Sequence, residues 1–111
     1  MITQDEIEAA KDYFAADPHP KACAEWELAK AKTNLARRRA EIIRGVNEKL
    51  TSARMDALVE LDDDYVRFRD ALDDAEFELH KEKARWARAE SVREMWRTEQ
   101  ATARKLDEIV R

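Results

Sequence analysis

Glycine and proline are almost missing from this chain: one glycine and two prolines in 111 residues. Tight hairpin turns draw on those residues, so an all-β fold is set aside. Neither occurs after Gly45, and nothing local stops a helix over the second half. A single cysteine, Cys23, permits no internal disulfide and fits a reducing compartment. It reads as a small apolar residue early in a helix. With two histidines, no glycine-rich phosphate loop and no paired nucleophile and base, no enzyme activity, cofactor or metal centre is expected. No stretch approaches the roughly 20 apolar residues of a membrane span. Met1-Ile2-Thr3-Gln4-Asp5 lacks the charged and apolar regions of a signal peptide, so a cytoplasmic protein without membrane partners is expected. Aromatic residues are few, three Trp, three Phe and two Tyr, so a handful of large side chains must carry most of the burial.

What the chain has is periodicity. Leu61, Tyr65, Phe68, Leu72, Ala75, Leu79, Glu82, Trp86, Ala89, Arg93, Trp96, Gln100 and Ala103 alternate four- and three-residue steps. That spacing makes one seam of a helix pressed on another. Thr3-Gln4-Asp5-Glu6 has the capping-box form. It starts a first helix over 4–16 whose buried face is Ile7, Ala10, Tyr13 and Phe14. Asp17-Pro18-His19-Pro20 ends it, with His19 as a loop residue. A second helix is predicted over 21–50, with the seam Ala22, Trp26, Ala29, Thr33, Ala36, Ala40 and Ile43. Thr51-Ser52 caps a connecting helix over 53–61, and Asp62-Asp63-Asp64 caps a third long helix over 63–109. The expected architecture is a single all-α domain over 1–111, a long antiparallel coiled-coil-like hairpin with a short first helix and a short connecting helix.

The net charge of −4 is segmental: −4 over 1–20, +4 over 21–52, −7 over 53–80 and +3 over 81–111. Folding the chain about residue 56 or 57 sets Arg37, Arg38 and Arg39 opposite Asp73, Asp74 and Glu76. It also sets Glu25 and Glu27 opposite Arg85 and Arg88, and Trp26 beside Trp86. Opposite charges would select that register while the seam supplies stability.

Arg37, Arg38 and Arg39 with Arg44 are the nucleic-acid candidates, since clustered guanidinium groups bind phosphate and release counterions. Consecutive helical residues point about 100° apart, however, and cannot form one stripe. Asp62-Asp63-Asp64 with Asp56 and Glu60 lack the alternating oxygens and glycine turn of a calcium loop, and a helix cap is the simpler reading. Glu76 and His80 lie four apart but lack the duplicated Glu-x-x-His of di-iron bundles. Tyr13, Phe14, Met95, Trp96 and Arg97 are candidates for partner binding at an exposed tryptophan end. A two-helix hairpin cannot bury both faces of its helices. Leu28, Leu35 and Ile42, flanking the first seam at seven-residue intervals, are therefore the candidates for a homo-oligomeric contact.

The stretch Ala87-Arg88-Ala89-Glu90-Ser91-Val92-Arg93-Glu94-Met95-Trp96-Arg97-Thr98-Glu99-Gln100-Ala101, above all the step Trp96-Arg97-Thr98-Glu99, supports a resemblance. So does Met55-Asp56-Ala57-Leu58 followed by an acidic residue, Tyr65 and Arg67. Over residues 50–103 the chain resembles small helical-hairpin proteins of phages and prophages encoded near single-strand annealing recombinases. The resemblance implies a phage DNA-metabolism setting in the host cytoplasm, without a mechanism. The expected function is a non-enzymatic protein–protein interaction module, an accessory or mediator of phage homologous recombination. Its partner would be an annealing recombinase, a single-strand-binding protein or a host nuclease. Two alternatives stand beside it: direct single-stranded nucleic-acid binding through Arg37 to Arg39, and an acidic inhibitor of a host defence or nuclease complex built on the ten acids of 56–78.

Overall fold

The computed structural model describes residues 1–110. The protein is all-α and 85% helical, with no strand among the described residues. Its helices are α1 (Gln4–Ala15), α2 (Pro20–Arg44), α3 (Ser52–Glu60) and α4 (Asp63–Val110). α2 and α4 pack against each other as the expected hairpin. α4 is one unbroken helix of 48 residues, roughly 72 Å at 1.5 Å per residue.

The caps foreseen in the sequence are formed. Thr3 Oγ1 accepts from the Glu6 N–H at 3.2 Å, and Thr51 Oγ1 from the Arg54 N–H at 3.3 Å. Asp62 accepts from the Tyr65 N–H at 2.8 Å, opening α4 with acids at the positive end of its dipole. His19 does more than fill a loop: Nδ1 accepts the Lys21 N–H at 3.0 Å. It thereby caps α2, with Pro20 in the first helical position where its missing N–H costs nothing.

The second helix stops six residues short of the expected 50. The Gly45 N–H is shared between the Glu41 and Ile42 carbonyls, both at 3.1 Å, and the Val46 N–H reaches only to Ile43. This tightening closes α2 at Arg44, where glycine's extra backbone freedom opposes further helix. The turn therefore centres nearer residue 50 than 56. Arg38 and Arg39 meet Asp62 and Asp56 rather than Asp73, Asp74 and Glu76.

Contacts divide the chain into two compact units, residues 1–22 with 81–111 and residues 23–80. In the second, the packed face of α2 is Ala24, Leu28, Ala31, Leu35, Arg38 and Ile42, while Trp26, Ala29, Thr33 and Ala36 are exposed. The expected seam is thus on the outside, and the residues expected to flank it form the packed face. Burial follows apolar area, and a row holding Leu28, Leu35 and Ile42 offers more of it than a row of alanines. On α4 the expected seam holds from Tyr65 through Leu79, which is buried. Val59 of α3, 1% exposed, is the largest fully buried side chain.

In the first unit, Ile2, Ile7 and Ala10 pack with Ala89 in the core of α1 and the second half of α4. The two run antiparallel: the Ile2 N–H donates to Glu99 at 3.1 Å, and Phe14 meets Trp86 edge-on. Past Ala89 the less exposed row steps to Val92, Trp96 and Glu99, one residue before the expected Arg93 and Gln100. Two successive three-residue steps, from Trp86 to Val92, shift the phase of the seam.

Candidate interaction surfaces

In the first unit the end of α1, the proline turn and α4 bring Tyr13, Phe14, His19 and Trp86 into one aromatic cluster. Trp86 meets Phe14 edge-on at 4.8 Å between centroids, His19 at 5.2 Å and Tyr13 at 6.3 Å. Cations close the cluster: Lys21 lies 5.0 Å over Trp86, Arg85 4.9 Å over Tyr13 and Arg93 4.8 Å over Phe14. Because His19 Nδ1 accepts a backbone N–H, the neutral ring carries its proton on Nε2. That atom is buried without a hydrogen-bond partner among the described residues. The Tyr13 hydroxyl donates to the Glu82 carbonyl at 3.1 Å and to its carboxylate at 3.0 Å. Burial, and then this bond to a carboxylate, push the phenol's pKa up.

Beside the cluster, α1 and α4 leave a groove of about 380 Å³ floored by Ala9, Ala10, Ala89 and Val92. Glu6, Tyr13, Arg85 and Arg88 stand at its walls. Arg85 is held by Glu82 at 2.7 Å, whereas Arg88 has no ion-pair partner among the described residues. Of the partner-binding candidates, Tyr13 and Phe14 belong to the aromatic cluster. Trp96 is half-covered, with Lys11 of α1 5.5 Å above its ring. Met95 is 52% exposed, and Arg97 pairs with Glu94 along the helix.

The arginine candidates divide. Arg38 makes a two-pronged bond to Asp62, Nε at 2.9 Å and Nη2 at 2.6 Å, and also pairs with Glu41. Arg39 pairs with Asp56 at 2.7 Å. Both guanidinium groups are held more firmly protonated than usual, chiefly by those hydrogen bonds. The Arg38 bond, followed by the Tyr65 N–H, lowers the Asp62 carboxyl to about 2. One residue therefore caps α4 and ties α2 to its start. Sequence spacing does not reveal this pair, because its partners lie 24 residues apart across a turn that the early end of α2 shifts toward residue 50. Arg37 and Arg44 are exposed, with no ion-pair partner among the described residues. The oligomer candidates Leu28, Leu35 and Ile42 are half-buried on the packed face of α2, and Cys23 is exposed.

Among the described residues, no three His, Cys, Asp or Glu side chains gather to hold a metal ion, and no helix is long and apolar enough to cross a membrane. Comparison of the chain with protein-family models, with curated proteins and with solved structures returns no match.

Proposed function

We propose that this chain is a non-enzymatic helical docking module, and that its groove between α1 and α4 receives an acidic, apolar helix of another protein. The groove itself is the observation that supports the reading: an apolar lining of Ala9, Ala10, Ala89 and Val92 beside Arg88, which has no ion-pair partner among the described residues. An amphipathic helix docks in such a groove through apolar anchors, and a rim cation selects a partner of opposite charge. The resemblance over residues 50–103 supports a cytoplasmic setting in phage homologous recombination. Its partners there would be an annealing recombinase, a single-strand-binding protein or a host nuclease. The engagement of Arg38 and Arg39 by Asp62 and Asp56 counts against a phosphate site at those residues.

A photoreactive amino acid at Ala9 is expected to cross-link a single protein in infected or lysogenic cells. The purified partner should then lose about ten-fold in affinity when Arg88→Glu is introduced, the effect of one anchor residue. Unchanged affinity for the variant would remove the groove from the reading. Binding of single-stranded DNA that weakens steeply with salt would favour the nucleic-acid reading instead.

A further inference from the structure

The outer face of α2 in the second unit keeps coiled-coil spacing without cover. Trp26 is 61% exposed and Ile43 37% exposed, with Ala29, Thr33 and Ala36 between them. Along its flank, Lys30, Arg37 and Arg44 recur every seven residues, a stripe of about 21 Å. Arg37 and Arg44 have no ion-pair partner among the described residues, and Lys30 lies 5.0 Å over the Trp26 ring. Two copies of this face brought together would oppose cation to cation, which disfavours a symmetric contact. The complement stands on α4 of the same unit. Asp70, Asp73 and Asp74 share one helical face with Phe77, itself 61% exposed. None of the three aspartates has an ion-pair partner among the described residues.

We propose that the outer α2 face of one chain takes, as its occupant, the Asp70–Phe77 face of α4 from a second copy of the same chain. Each face carries one exposed aromatic anchor, and their charges are of opposite sign. The opposed charges supply the register and a necessary share of the attraction, to which burial of Trp26 and Phe77 adds. Because the two surfaces differ, the contact is heterologous. Each added chain presents a fresh α2 face and a fresh α4 face, so association is open-ended unless a ring closes. The contact uses neither the groove between α1 and α4 nor Arg88, so its fate is separate from that of the proposed docking function.

The test uses two variants of the full chain, both checked for native helicity by circular dichroism. Trp26→Ser with Arg37→Ser spoils the α2 face alone, and Asp70→Ser with Asp74→Ser spoils the α4 face alone. In analytical ultracentrifugation the wild type should grow with concentration past twice its 13.0 kDa mass at low salt. It should fall back to the monomer as salt rises from about 0.01 M to about 1 M, where the Debye length shrinks from ~30 Å to ~3 Å. Each variant alone should stay monomeric, weakened by about ten-fold or more. An equal mixture should form a dimer and stop there, since each partner keeps one intact face. A wild type that stays at 13.0 kDa throughout, a variant that still associates with itself, or a mixture that stays monomeric would each overturn the proposal.

Discussion

Two tryptophans expected to sit side by side in one seam have opposite surroundings, and the same substitution separates them. Trp86 is half-buried against Phe14, His19 and Tyr13, whereas Trp26 is 61% exposed under Lys30. An enclosed tryptophan buries 150–250 Å², so a half-covered ring removes about 100 Å² from water, or ~2.5 kcal/mol at ~25 cal/mol per Å². Its edge-on aromatic contacts add ~0.5–1.5 kcal/mol beyond the area. Trp86→Ala should therefore cost ~3–4 kcal/mol, a large share of the ~5–15 kcal/mol that holds a domain together. Trp26→Ala should cost less than ~0.5 kcal/mol, the usual range for an exposed site. With a urea slope of ~2 kcal/mol per M, the midpoint should fall by ~1.5–2 M for Trp86→Ala and by under ~0.3 M for Trp26→Ala. The assay is urea unfolding followed by circular dichroism at low micromolar protein and high salt, where self-association is suppressed. Equal midpoint shifts, or a larger one at Trp26, would refute the placement of both residues.

Three further outcomes are expected. The Asp62 carboxyl is lowered from 3.8 to about 2 in the folded chain. Its stabilising effect is present above about pH 4 and lost as pH falls toward 2; thermal melts of Asp62→Asn should lack this acid limb, and identical pH profiles would refute it. A double-mutant cycle of Arg38→Ala with Asp62→Ala should be strongly non-additive in melting temperature, while Arg38→Ala with Asp73→Ala should be additive; the reverse pattern would restore the register expected from charge alone. Gly45 lacks a positive φ, and an added Cβ would lie 3.5 Å from its nearest neighbour, an ordinary contact. Gly45→Ala should thus stabilise the protein by about 0.5–1 kcal/mol, and a lowered thermal midpoint would count against the geometry of the α2 end.

The candidate surfaces were legible only in part. Tyr13, Phe14 and Trp86 stood out as large side chains in a chain poor in them, and the structure gathers them into one cluster. His19 gave no such signal, because two flanking prolines explain a loop without implying a cap or an aromatic neighbour. Arg38 pairs with Asp62 instead of Asp73, Asp74 or Glu76, because sequence shows opposite charges but not which carboxylate a turn brings across.

Local chemistry in the sequence was enough to determine the elements. The Thr3, Thr51 and Asp62 caps, the lack of breakers after Gly45 and the α4 row from Tyr65 to Ala89 act within a few residues of themselves. Their effect does not depend on what lies beyond the helix. Tertiary structure alone decided which face of α2 turns inward and where the hairpin bends. Both rows of α2 have helical spacing, so periodicity could not rank them. The choice fell to the row whose Leu28, Leu35 and Ile42 remove the most apolar area from water. The register then followed from the early stop at Gly45, which brought Arg38 to the Asp62 cap before charge farther along α4 could compete.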